Sequence, residues 1–174
     1  ASWKVLDSII EQEMWLYARS QRIDFKTKVW WNDNRKLLKV AFPVEIRSRR
    51  ATYDLPFATI ERPTHRNTSW DQAKFEVSGH KWADLSEGDY GVALLNDCKY
   101  GYDVKDNLMR LSLLRSPVRP DSQSDQGFHR FTYALLPHSG SWIEGAVSRH
   151  AYELNMPVVA AALGDENQNT GKSM

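Results

Sequence analysis

A chain of 174 residues is long enough for one domain with a sizeable core. Its 23 basic and 22 acidic side chains leave a formal charge of +1, which gives no broad pull toward nucleic acid or a membrane surface. The single cysteine, Cys98, excludes an internal disulfide and points to a reducing, cytoplasmic setting, and no apolar run approaches the ~20 residues of a spanning helix. No signal peptide is visible, and the chain starts at Ala1 rather than at methionine.

In chain order, residues 8–17 (SIIEQEMWLY) read either as a short amphipathic helix or as a strand with Ile10, Met14 and Leu16 on one face. Residues 23–31 (IDFKTKVWW) alternate cleanly and predict a half-buried strand. Asn32, Asp33 and Asn34 form a turn signal, and residues 37–46 (LLKVAFPVEI) are expected to return as the next strand, at an edge or a bulge because of Pro43. Residues 47–50 form a basic loop, and residues 52–60 give another strand that contains Pro56. Residues 61–71 (ERPTHRNTSWD) are polar and irregular.

Short extended pieces at 74–77 and 80–85 lead into residues 91–103 (GVALLNDCKYGYD), where an apolar strand at 92–95 runs into a polar, aromatic turn. Strands at 108–114 and 128–136 follow, separated by a loop over 117–126. Phe131, Tyr133 and Leu135 share a face of the latter strand. Residues 141–154 suit a helix stopped by Pro157, with an extended alternative over 146–154. Residues 164–174 are polar and predict a disordered tail, leaving 1–163 as the folded unit. Eight or so strands with at most one short helix predict a mainly β fold, an antiparallel β-sandwich.

The chemistry is sparse. His65, His80, His129, His138 and His150 show no i, i+2 or i, i+4 pair for a shared metal, and Cys98 has no adjacent base. Asp97 with Asp103, and Asp71 with Asp84, are the carboxylates that could meet across a sheet, and turn formation explains each of them. The 67–69 sequon Asn-Thr-Ser is too short a pattern to carry weight. What remains is the pair of segments 64–70 (THRNTSW) and 96–102 (NDCKYGY). Both set amide, carboxylate and cationic groups beside aromatic rings at strand ends, an arrangement suited to sugar hydroxyls and to stacking on sugar C–H faces. A self-standing carbohydrate-binding module is one way to use them.

Several stretches carry a family resemblance: residues 22–25 (RIDF), 37–43 (LLKVAFP), 61–70 (ERPTHRNTSW), 91–102, 131–138 (FTYALLPH) and 151–155 (AYELN). In this order they resemble the C-terminal β-rich region of the glycoside hydrolase family 38 α-mannosidases, in the bacterial and cytosolic branch. The resemblance implies a galactose-mutarotase-like super-sandwich, with some of its strands expected to be absent. It also implies a parent that is a retaining exo-α-mannosidase. There an N-terminal α/β domain of the same polypeptide supplies an aspartate nucleophile, an acid/base carboxylate and a zinc ion. None of that domain lies in this chain, so no catalytic residue, metal ligand or cofactor is expected here. The expected roles are scaffolding and completion of a cleft for mannose-containing carbohydrate. Asn96, Asp97, Lys99, Tyr100 and Tyr102 are expected to face that cleft, with His65, Arg66, Asn67 and Trp70 beside them. Exposed strand edges would favour self-association.

Overall fold

In a computed structural model of the protein, residues 1–156 and 158–160 are described. Twelve strands and two helices follow one another in the described chain. The strands are Ser2–Val5 (β1), Ser8–Leu16 (β2), Ile23–Trp31 (β3), Leu37–Pro43 (β4), Arg50–Leu55 (β5) and Ala58–Pro63 (β6). After helix Ser69–Ala73 (α1) come Val77–Ser78 (β7), Trp82–Glu87 (β8), Tyr90–Asn96 (β9), Gly101–Lys105 (β10), Leu108–Arg115 (β11) and Gly127–Ser139 (β12). Helix Val147–Asn155 (α2) closes the series.

The strands form two antiparallel sheets, an eight-stranded one in the order β1-β2-β3-β12-β9-β8-β5-β6 and a four-stranded one in the order β4-β11-β10-β7. Alternation decides which side chains lie between them. On β3, Phe25, Thr27, Val29 and Trp31 point inward while Lys26, Lys28 and Trp30 point out. Opposite them, Met109, Leu111 and Leu113 of β11 and Tyr102 and Val104 of β10 complete the main core. Phe25 stacks on Tyr133 with ring centroids 5.1 Å apart. Each fully buried leucine there contributes about 2 kcal/mol of apolar transfer.

The middle of the large sheet is covered on its other face too. Val147 and Ala151 of α2 pack on Trp82, Ala93, Leu95, Ala134 and Leu136. Small residues at Ala93 and Ala134 let the helix come close. Burial on both faces is why β9 reads as an unbroken apolar run and not as an alternation.

The sandwich agrees with the sequence reading; several details do not. Residues 8–16 take the strand, one of the two readings left open, while residues 147–155 are a helix that starts later than periodicity suggests. Residues 52–60 are not one strand: β5 and β6 form a hairpin turning at Pro56 and Phe57. The turn at 32–34 does not return the chain beside β3, because β4 crosses to the other sheet and pairs with β11. It is the outermost strand there, as Pro43 requires. The described chain has two helices instead of one at most. The extra one, α1, is built on a capping box in which Thr68 and Asp71 satisfy each other's backbone amides. Pro157 as a helix stop and the tail at 164–174 lie outside the described residues.

One close approach fixes the edge of the helix-covered face. A side chain at Gly91 would collide with the His138 imidazole and the Ser86 hydroxyl. Gly91→Ala is therefore expected to destabilise the fold by about 1–3 kcal/mol, measured by chemical denaturation, because the ring is held by Asp84 and cannot step aside.

A candidate carbohydrate-facing crossover

Residues 97–100 join β9 of the large sheet to β10 of the small one, so the polar stretch is a crossover between layers. Its two ends are locked inside. The Asn96 side-chain amide donates to the Tyr102 hydroxyl and to the His80 carbonyl (2.8 Å), while its oxygen accepts from the Lys99 amide (2.6 Å). Tyr102 is fully buried, with its ring edge-on to Tyr53 at 6.0 Å. Burial, against a weaker pull from Asn96, holds its phenol well above the usual range, so it stays protonated. From the helix layer, Asn155 donates to the Asn96 carbonyl at 2.9 Å.

These contacts correct the expectation for Asn96 and Tyr102. Both are interior residues whose polar groups bind the fold, and they do not face a cleft. Asp97 is also tied down: its carboxylate accepts from the Thr132 amide of β12 at 2.8 Å. Burial and the Asp97 carboxylate push the Cys98 thiol up to about 11, which keeps it protonated and a weak nucleophile. Lys99 and Tyr100 remain. The Lys99 ammonium sits over the Phe131 ring, 4.6 Å from its centroid, and Tyr100 is exposed with its ring 5.5 Å from that of His80. Beside Lys99 lies an open depression of about 250 Å³ whose lining includes Glu76, Ser112, Arg115, Asp125 and His129. It is smaller and shallower than a self-sufficient ligand pocket.

The 64–70 segment docks farther along β10. Arg66 donates to the Asp103 carboxylate at 2.8 Å, and Asp103 is also held by Arg110 across the β10–β11 pair and by Lys39 at 3.8 Å. His65 Nδ1 lies 4.0 Å from Asp71, whose carboxyl is held below the usual range chiefly by the Thr68 hydroxyl. Asn67 and Trp70 are exposed. Arg66 and the Tyr102 ring both line a cavity of only about 40 Å³, room for water and not for a sugar. The structure thus joins the two segments through β10, with Arg66 on Asp103 and Tyr102 one position earlier.

Sequence reasoning missed a buried cluster on the helix-covered face. His138 Nε2 lies 2.7 Å from one Asp84 oxygen, and Ser86 donates to the other. Burial pushes the imidazolium down. The Asp84 carboxylate and the carbonyls of Ser139 and Gly140 outweigh it and hold His138 above its ordinary value. Asp84, Ser86 and Trp142 also border an open depression of about 460 Å³ that reaches Arg49 and Glu61. The alternation of Trp82, Asp84 and Ser86 on one face of β8 was the available signal.

All four aspartates weighed as acid or base are committed to the fold, Asp71 to its helix cap, Asp84 to His138, Asp97 to β12 and Asp103 to three cations. Among the described residues no three His, Cys, Asp or Glu side chains gather where a metal could sit. The zinc implied by the resemblance has no fitting donor set here, and no chemistry of this chain is derived through it. Among the same residues, no helix is long and apolar enough to cross a membrane. What the crossover offers is an oriented ammonium and phenol on a rigid base.

Comparison with known proteins identifies the fold's setting. A family model described as "Glycosyl hydrolases family 38 C-terminal domain" matches residues 1–123. The chain belongs to this family. Relatives include "Alpha-mannosidase 2C1" of Mus musculus, 51% identical over 154 residues that make up 88% of this chain and 15% of that protein. "Alpha-mannosidase G" of Dictyostelium discoideum is 53% identical over 146 residues, 84% of this chain and 13% of that one. The crystal structure of an α-mannosidase from Enterococcus faecalis superposes with a TM-score of 0.77 at 18% identity, over 86% of this chain and 18% of its own, and shares the fold. The family 38 chain thus spans about one seventh of the length of these two relatives, and their names describe whole proteins.

Two outcomes are expected from this geometry. Asn96→Ala strands the Lys99 amide and leaves the Tyr102 hydroxyl with only its 3.4 Å contacts to the His80 and Leu94 carbonyls, and should cost about 1–3 kcal/mol of stability by chemical denaturation. His138 is raised in the folded state, so its contribution is complete below about pH 6.5, the unfolded value, and is lost as pH rises through the folded value. The gap in Tm between the native chain and His138→Gln should therefore be wide near pH 5.5 and narrow toward pH 9, by thermal scans across that range.

Proposed function

We propose that this chain is a non-catalytic β-domain of an exo-acting α-mannosidase, which braces the catalytic domain of the same polypeptide and lends it one wall of a mannose-binding cleft. The supporting observation is the crossover at residues 97–100. It presents Tyr100 outward and sets Lys99, half-buried, over the Phe131 ring, while Asn96, Tyr102 and Asn155 hold it from three layers of the fold. A loop with only a turn to make needs neither an exposed phenol nor an ammonium poised on a ring. Here both sit on a base that cannot drift, which is what positioning a sugar hydroxyl demands.

The division of labour follows from what the chain holds. With Asp71, Asp84, Asp97 and Asp103 spent on internal contacts, it orients and encloses. Bond cleavage with retention, and the zinc that goes with it, belong in this reading to the rest of the polypeptide. Similarity to several α-mannosidases at about half identity supports that assignment. A cytoplasmic location goes with it, supported by the single unpaired Cys98.

In the longer polypeptide, Tyr100→Ala should lower kcat/KM for an aryl α-mannoside by about tenfold, the loss of roughly one hydrogen bond or stacking contact, with Tm unchanged. Unaltered kinetics would mean that the crossover faces no substrate. Titrating the 174-residue chain with mannose and mannobiose by calorimetry should give no saturable binding. Saturable binding would make it a self-standing carbohydrate module instead.

A further inference from the structure

The β5–β6 hairpin closes through a two-residue turn, since Leu55 pairs with Ala58 and only Pro56 and Phe57 lie between. Phe57 has a φ of 59°, in the left-handed region. After a proline, that is the turn position where glycine or asparagine normally stands, because a Cβ crowds the backbone there. A phenylalanine makes the turn less stable, and its ring adds nothing to the core, being 107% exposed. Strain held at a side chain that the fold does not use points to a contact outside the fold. Leu6, in the β1–β2 turn, shares the conformation at a φ of 54° but lies at the opposite edge of the large sheet and is less exposed.

Register locates the tip. Thr52 pairs with Asp84 and Tyr53 with Ala83, so continuing the ladder sets Leu55 level with Lys81. Trp82 pairs with Leu95, which brings Asn96 to the same level, where its amide donates to the Lys81 carbonyl at 2.9 Å. Phe57 therefore projects just past the level at which β9 gives way to the crossover, two strands away or about 10 Å across the sheet. The hairpin is braced there. The Asp54 carbonyl accepts from the His80 amide at 2.9 Å, and its carboxylate accepts from the Lys81 amide at 3.0 Å. His80 in turn lies against the Tyr100 ring, at 5.5 Å between centroids. Phe57 and Tyr100 are thus two exposed aromatic rings on segments fixed to the same residues, 80 and 81.

We propose that Phe57 is the anchor by which this β-domain docks on the rest of its polypeptide, with its ring seated in an apolar pocket of the catalytic domain. The inference rests on the reading above that this chain is part of a longer α-mannosidase polypeptide; the matched region makes up only 15% of the mouse relative. The partner surface is specified chemically. It is a pocket of aliphatic or aromatic side chains, wide enough for one phenyl ring, with no polar group aimed into it, since phenylalanine has none to answer. Aromatic anchors of this kind carry a large share of the energy of a contact. Burying the ring offsets the strain in the turn, and a tip held in place also holds Tyr100 toward the cleft.

The test is hydroxyl-radical footprinting of the longer polypeptide, read at Phe57 by mass spectrometry. The ring should be oxidised at least about tenfold more slowly than in a free peptide of residues 52–62, in line with near-complete burial. Oxidation at the peptide's rate overturns the proposal. Protection that appears only when methyl α-mannoside is added assigns the ring to the substrate and overturns it. Protection lost on dilution, in step with dissociation seen by sedimentation, assigns it to a second copy and overturns it too. A second measurement uses Phe57→Gly, which relieves the turn while removing the ring. Docking predicts that the Tm of the longer polypeptide falls by about 3 °C. An unchanged or raised Tm, the result of strain relief alone, is incompatible with an anchor. Failure of the functional reading looks different: a longer polypeptide without α-mannosidase activity but with a protected Phe57 refutes that reading and leaves the docking contact standing.

Discussion

The crossover depends on one buried pair, the Asn96 amide and the Tyr102 phenol. Asn96 ends a strand of the large sheet and Tyr102 lies near the start of a strand of the small one, so their hydrogen bond is also a bond between layers. Asn155 brings the helix layer to the same residue. An amide at such a junction must satisfy every donor and acceptor, since water cannot reach it, and a partly satisfied network would cost more than an apolar core. Asn96 meets that requirement with three side-chain partners, Asn155 adds a fourth on its backbone carbonyl, and the neighbouring Lys99 and Tyr100 are anchored to it.

The outer face of the small sheet follows a related logic with charges. Asp103 gathers Arg66, Arg110 and Lys39, and Lys39 reaches on to Glu76 at 3.0 Å. The Asp103 side chain is nearly buried while the cations are partly wet, so the cluster works by compensating one desolvated carboxylate. Its structural effect is to pin the irregular segment around residue 66 to β10. Together with Asp84 on His138 and Asp97 on Thr132, it shows a chain whose acidic groups are used to shape a surface.

The elements that are legible in the sequence are those whose burial shows in the local pattern, one-sided in β3 and two-sided in β9. The alternation of residues 23–31 and the apolar run at 92–95 named β3 and β9 before any tertiary contact was known. Sheet membership was not legible. The turn at Asn32, Asp33 and Asn34 looks the same whether the chain doubles back or crosses to another layer, because that choice is made by the apolar partners of β4 on β11. The site was half legible for a similar reason. Amides and phenols suit sugar hydroxyls and buried junctions equally, so Asn96 and Tyr102 resembled ligand groups until their partners were visible. Tyr100 is exposed, and Lys99 is half-buried over the Phe131 ring. The α1 cap, by contrast, was written in the spacing of Thr68 and Asp71.

The position of β12 has a consequence for how the chain is made. It is the last strand in the described sequence, yet it lies in the middle of the large sheet, between β3 and β9. A ribosome delivers β1, β2 and β3 first and β8 and β9 much later, and these two groups share no edge until residues 127–139 arrive between them. During synthesis the sheet exists as two unjoined halves, each showing a raw edge and an apolar face. Closure waits on the final strand, a topology in which long-range pairing comes late and nascent chains depend on protection until it does.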